Sequence, residues 1–182
     1  MKKRIFVGIG ISEKLAKEIL KQERPWRESL PEHVRWLKEE NFHITLIPPW
    51  YEDKKNIRRV IEKIKSAAAG CPRFEMKFEK AEYGSDKKSP RLIWATGKTP
   101  EEIEELKEKL ECTLGKKNEG RDFLLHLTIA RFRSERFSEF AVKNFEEKIN
   151  WRDWAGTVII FESKLAQLGA EYLKLAEIKF KK

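Results

Sequence analysis

His43-Ile44-Thr45-Leu46 and His126-Leu127-Thr128-Ile129 are two versions of one tetrapeptide, set 83 positions apart in a chain of 182 residues. Each carries a histidine and a threonine two residues apart, and each of these is followed by an aliphatic residue. Successive side chains of a β-strand alternate between faces, so His and Thr share one face and the aliphatic pair takes the other. The two copies read as similar half-sites on two buried strands, which the fold has to bring together.

The flanking sequence repeats in the same order. Arg4 to Ile11 is an apolar β-rich run, and Ser12 caps a helix with Leu15 and Ile19 inward, ended by Pro25. Val34 to Leu37 reads as a short strand. Phe42 to Ile47 is the first His-bearing strand, stopped by Pro48-Pro49 because neither proline donates to a ladder. A helix from Asp53 carries Ile57, Val60, Ile61, Ile64 and Ala68 on one face up to Gly70 and Pro72. Phe74 to Tyr83 alternates as a strand, and the polar turn Gly84 to Pro90 divides the halves. In the second half, Arg91 to Thr96 is a strand, and Thr99-Pro100-Glu101-Glu102 starts a helix with Thr99 as N-cap and Ile103, Leu106, Leu110 and Leu114 inward. After a loop over Lys116 to Arg121, Phe123 to Phe132 is the second His-bearing strand. A helix from about Ser138 to Ile149 and strands near Thr157 to Phe161 and Tyr172 to Phe180 complete the pattern.

This order predicts an α+β fold of two pseudo-symmetric lobes in a single bilobal domain over 1–182, lobe one about 1–84 and lobe two about 90–182. Each lobe is a mainly antiparallel sheet with helices on its outer face, a cleft lies between them, and the closing strands are candidates for exchange between lobes. Strand order is not legible at this level.

Composition limits the function classes. The chain has 39 Lys+Arg against 30 Asp+Glu, a formal charge of +9, which favours an anionic partner. Lys and Glu are interspersed along segments such as Glu101 to Glu111, so the charge alone defines no binding stripe. Cys71 and Cys112 lack metal-type spacing and read as reduced thiols of a cytoplasmic protein. Met1-Lys2-Lys3-Arg4 and the apolar run after it lead straight into Ser12-Glu13-Lys14 without a small-residue cleavage site, so the run reads as a strand. No apolar stretch approaches the roughly 20 residues of a membrane span.

Histidine transfers protons near neutral pH, and two histidines facing one substrate can serve as base and acid together. A phosphodiester suits such a pair: one imidazole activates the attacking oxygen and the other protonates the leaving oxygen, with hydroxyl donors from Thr45 and Thr128 on the phosphate. Strict alternation puts Arg131 on the face opposite His126, whereas a bulge would turn its guanidinium into the cleft, and spacing leaves both open. His33 has no threonine partner and reads as structural or solvent-exposed. There is no His-Glu-x-x-His, no paired cysteine and no carboxylate beside either motif, which disfavours a metal, and no glycine-rich phosphate loop.

These residues resemble the 2H phosphoesterases, in the branch of RNA 2′,3′-cyclic phosphodiesterases also described as 2′-5′ RNA ligases. Besides the tetrapeptides, the resemblance rests on Arg4-Ile5-Phe6-Val7-Gly8-Ile9, Leu92-Ile93-Trp94-Ala95, Ala130-Arg131, Ser163-Lys164-Leu165 and Gly169-Ala170-Glu171-Tyr172, and it covers nearly the whole chain. It implies metal-independent hydrolysis of an RNA terminal 2′,3′-cyclic phosphate to a 2′-phosphate, without cofactor. His126 is cast as general base, His43 as general acid, and Thr45, Thr128 and Arg131 as phosphate ligands. The implied partner is RNA ending in a cyclic phosphate, tRNA-derived RNA included, handled by a cytoplasmic monomer without a membrane. Small cyclic nucleotides as substrates, or RNA-end binding without turnover, are the competing readings. The family's aromatic-Leu-Gly turn is replaced here by Ile47-Pro48-Pro49-Trp50, which makes the two half-sites unequal and leaves the role of that loop open.

Overall fold

The computed structural model describes residues 1–86, 88–116, 120, 122–166 and 169–181. In chain order the elements are β1 (Lys2–Gly10), α1 (Glu13–Gln22), α2 (Arg24–Ser29), β2 (Arg35–Trp36), β3 (His43–Asp53), α3 (Ile57–Ala68) and β4 (Phe74–Gly84). They continue with β5 (Leu92–Gly97), α4 (Glu101–Leu114), β6 (Leu125–Arg131), β7 (Glu146–Ala155), β8 (Thr157–Ala166) and β9 (Gly169–Lys179). The loop expected over Lys116 to Arg121 lies mostly outside the described residues, as does Lys87 of the dividing turn.

The strands form two antiparallel sheets, one in the order β3-β1-β8-β9 and one in the order β2-β6-β5-β4-β7. With β2 set aside, the orders are superimposable: β3 corresponds to β6, β1 to β5, β8 to β4 and β9 to β7. Each His-bearing strand therefore lies beside the opening strand of its own half. Between the halves, β4 joins β5 and β7, β8 joins β1 and β2 joins β6, whereas β8 and β9 pair within the second half.

The apolar run of β1 has partners on both faces. Ile5, Val7 and Ile9 enter the main core, while Phe6 points the other way into a small cluster with Ile159, Phe161 and Tyr172. Ser12 caps α1 as expected, its hydroxyl accepting from the Leu15 amide at 3.2 Å. Helix α1 also binds β7 of the opposite sheet: the Ser12 amide donates to Asp153 at 2.7 Å, and Trp151 Nε1 donates to Gln22 Oε1 at 2.6 Å. Helices α3 and α4 pack on each other, and the left-handed Gly115 at φ 63° ends α4.

Four local expectations are corrected. Pro25 does not simply end a helix but stands in the first turn of α2, where its missing N–H costs nothing. Pro48 and Pro49 do not stop the ladder. β3 is an edge strand with β1 as its one neighbour, and an extra residue between the Val7–Ile47 and Ile5–Trp50 rungs absorbs the prolines, so pairing resumes as far as Asp53. Thr99 does not cap α4; Pro100 holds that position, and the Thr99 hydroxyl donates to the Phe123 carbonyl at 2.6 Å and accepts from the Leu125 amide at 3.0 Å, tying α4 to β6. The helix expected over Ser138 to Ile149 is instead a 3₁₀ segment, Ser134–Glu139, followed by β7. Ile149, Trp151, Asp153 and Ala155 are buried in alternation, a period of two that the spacing of Phe145 and Ile149 concealed.

Candidate active site

Strands β3 and β6 approach each other directly, and His43 lies close enough to His126 and Arg131 for their charges to act on it. Ile44, Leu46, Leu127 and Ile129 are fully buried in the core. His43, Thr45 and His126 are only partly covered, and Thr128 is 9% exposed. Neither threonine hydroxyl has a hydrogen-bond partner among the described residues, which leaves both free to donate to a ligand.

Each tetrapeptide ends on a β-bulge at its fourth residue. On β3, Thr45 pairs with Gly8 and the next rung joins Ile47 to Val7, leaving Leu46 unpaired. On β6, Thr128 pairs with Trp94 and the next rung joins Ala130 to Ile93, leaving Ile129 unpaired. The extra residue reverses the alternation beyond it. Arg131, opposite Leu92, therefore shares the face of His126 and Thr128, and the question that spacing left open is decided for the cleft. The position equivalent to Arg131 on β3 is Pro48, so only the second half supplies a guanidinium here.

The histidines are oriented by identical bonds. The Nδ1 of His43 lies 2.7 Å from the Asn41 carbonyl, and the Nδ1 of His126 lies 2.8 Å from the Leu124 carbonyl. A carbonyl only accepts, so Nδ1 is the protonated nitrogen in both neutral rings and Nε2 is left as the proton-accepting site. Burial pushes the pKa of His43 down from 6.5 to about 4, opposed by the Asn41 carbonyl and reinforced by the charges of Arg131 and His126. Burial also lowers the pKa of His126, with the Leu124 carbonyl opposing and Arg131 reinforcing. Both rings are thus neutral near pH 7 when no anion is bound.

Aromatic side chains wall the site, and the sequence reading assigned them no such place. The His43 ring stands 4.9 Å from Phe6, 5.5 Å from Phe161 and 5.1 Å from Tyr172, the last edge to face. Trp94 lies 5.1 Å from His126. The alternation of Phe6, Trp94 and Phe161 within β1, β5 and β8 is the available signal, and Tyr172 joins them from β9. Gly8 is required beneath His43, because a Cβ there would stand 2.6 Å from the Ile44 carbonyl oxygen.

Other singled-out residues lie apart from the cleft. His33 packs edge-on against Phe140 at 5.4 Å with Nδ1 3.8 Å from Glu139, a structural position. Trp50 packs on the core, donates to Glu52 at 3.2 Å and carries the Lys116 ammonium 4.4 Å above its ring, so its faces are committed within the protein. A groove of about 590 Å³ runs between α3 and α4, lined by Ser66, Glu105, Lys109 and Cys112 among others, and none of the residues lining it is a histidine. Among the described residues no three His, Cys, Asp or Glu side chains converge as a metal site, and no helix is long and apolar enough to cross a membrane.

Comparison with known proteins agrees with this geometry. The profile of the family described as LigT like phosphoesterase matches residues 9–94. A Thermotoga maritima protein named RNA 2′,3′-cyclic phosphodiesterase is 28% identical over 133 residues, 70% of this chain and 69% of that one. A Bacillus subtilis protein of the same name is 26% identical over 129 residues, 69% of each chain. The crystal structure of E. coli LigT complexed with 3′-AMP superposes with a TM-score of 0.77 over 100% of both chains at 21% identity. Paired motifs, family profile and shared fold agree, and together they make the chain similar to the LigT-like phosphoesterases of the 2H class.

Proposed function

We propose that this protein hydrolyses the 2′,3′-cyclic phosphate at an RNA terminus to a 2′-phosphate, with His126 as base and His43 as acid and with no metal ion. The observation that carries the reading is the pair of Nδ1-tethered histidines on facing strands, each leaving Nε2 for proton transfer. The names of the curated relatives support the substrate class.

In the proposed step a water oxygen attacks phosphorus as its proton passes to Nε2 of His126. The P–O3′ bond breaks, and O3′ takes a proton from Nε2 of His43. Thr45, Thr128 and Arg131 donate to the phosphate oxygens as charge builds on them. Burial disfavours the proton on His43 in the empty site, so the bound phosphate anion must restore it; the substrate's own charge prepares the acid. Free thiols at Cys71 and Cys112 suit a reducing cytoplasm.

The test is an RNA ending in a 2′,3′-cyclic phosphate, incubated with the protein in excess chelator. A 2′-phosphate product is expected, with activity lost in His43→Ala and His126→Ala. Full activity in both variants, or none in the wild type until a divalent metal is added, overturns the proposal. A substrate with sulfur at the 3′ position separates the roles, since a thiolate leaves without an acid: His43→Ala should recover on it and His126→Ala should not.

A further inference from the structure

Arg131 is not the only guanidinium at this end of the cleft. Arg35 on β2 is its direct cross-strand partner, and partners in register project from the same face. That face carries Thr128 and His126, because Trp36, the next residue of β2, pairs with Ala130 and packs on the core. Arg91 stands at the entry to β5, where its charge is one of those that act on Arg131, and is held between the end of β4 and the residue after β6 by two backbone bonds. Its amide donates to the Gly84 carbonyl at 2.8 Å and its carbonyl accepts from the Phe132 amide at 3.0 Å.

None of the three arginines has a carboxylate partner among the described residues, although Asp and Glu elsewhere pair freely with Lys and Arg. Arg131 is surrounded by like charge: burial lowers its pKa first, Tyr172 opposes, and Arg91 and Arg35 lower it further. All three side chains are exposed, so they form a track of positive charge open to solvent on two strands and a strand entry, and that track attracts more anionic charge than one terminal phosphate carries.

We propose that Arg35 and Arg91 bind the phosphodiester that precedes the terminal cyclic phosphate, so that this site grips the end of an RNA strand and not an isolated nucleotide. Arg131 remains with the reacting phosphate, and its two neighbours continue the cationic track along the edge of the five-stranded sheet. The inference rests on the phosphodiesterase reading but concerns substrate length, which can be measured separately.

The experiment compares kcat/KM on cytidine 2′,3′-cyclic phosphate and on a trinucleotide ending in the same group, for the wild type, Arg35→Gln, Arg91→Gln and the double variant. Loss on the trinucleotide should exceed loss on the mononucleotide by about tenfold per arginine. The salt slope of trinucleotide binding should fall by about 0.7 for each phosphate contact removed. Thermal stability should stay level or rise, since substitution relieves repulsion, whereas a structural arginine would lower it. Equal losses on the two substrates, or no loss on the trinucleotide, overturn the inference. If the wild type turns over neither substrate, the phosphodiesterase reading fails. The arginines are then judged by the affinity for a trinucleotide ending in a 2′-phosphate, which an unchanged Kd in the double variant decides against them.

Discussion

His43 and His126 are tethered by the same bond, each ring donating Nδ1–H to the carbonyl two residues earlier, at 2.7 Å and 2.8 Å. The bond fixes one tautomer in both rings while burial holds them neutral, so acid should act on the fold through them. His43 titrates at about 4 in the folded protein against 6.5 when exposed. Between those values the unfolded chain binds more protons, so stability is complete above pH 6.5 and falls as pH drops toward 4. The loss from His43 is at most about 3 kcal/mol. His43→Asn, which keeps a donor near the Asn41 carbonyl, should flatten the dependence of Tm on pH over that window in phosphate-free buffer. An unchanged slope would show that other groups dominate.

Removing either imidazole should act on turnover more than on affinity. His43→Ala and His126→Ala should each lower kcat by about 10²–10⁴-fold with modest change in KM. A bound phosphate anion favours the charged acid, so the limb that falls with rising pH should lie higher in kcat than in kcat/KM. Coincident limbs would count against charging of the acid by substrate.

Arg131 is turned by the Ile129 bulge to the face of His126 and Thr128, and the proposed reaction assigns its planar fork to the phosphate. Arg131→Lys keeps the charge but not the fork and should cost about tenfold or more in kcat/KM, and Arg131→Ala more still. Wild-type activity in Arg131→Lys would reduce the residue to a point charge.

Gly8→Ala tests the floor beneath His43. The new Cβ would meet the Ile44 carbonyl oxygen at 2.6 Å and His43 Cδ2 at 3.4 Å, and backbone does not yield as a flexible side chain does. A destabilisation of about 1–3 kcal/mol is expected, a fall in Tm of about 2–10 °C, together with reduced kcat. Calorimetry and the turnover assay check both, and full retention of each would show that β3 shifts freely.

Because β4 and β8 cross between halves, the two sheets should open together. Amides of Ile5 to Ile9 and of Leu125 to Ala130 should share one opening free energy by native-state hydrogen exchange. Separate values for the two sheets would mark them as independent units.

Legibility varied with the range of the forces involved. α1, with Ser12 at its cap, and α3, with its apolar stripe, were readable because capping and helical spacing are properties of the segment itself. β7 reads as a helix because Phe145 and Ile149 are four apart and no local signal outweighs that spacing; its partner β4 lies some seventy residues upstream. Pro48-Pro49 misled in the same way, since whether a proline breaks a ladder depends on whether its strand lies at the sheet edge.

The tetrapeptides by themselves determined the residue types of the site, the face His and Thr share, and the expectation that two strands meet, because side-chain alternation is a local geometric property of extended chain. The tertiary structure alone decided which way Arg131 points, since the bulge at Ile129 exists only as a mismatch of register against β5. It also decided that Arg35 and Arg91 flank Arg131 and that aromatic rings bury His43, for proximity between distant segments is set by strand order, which no short stretch encodes.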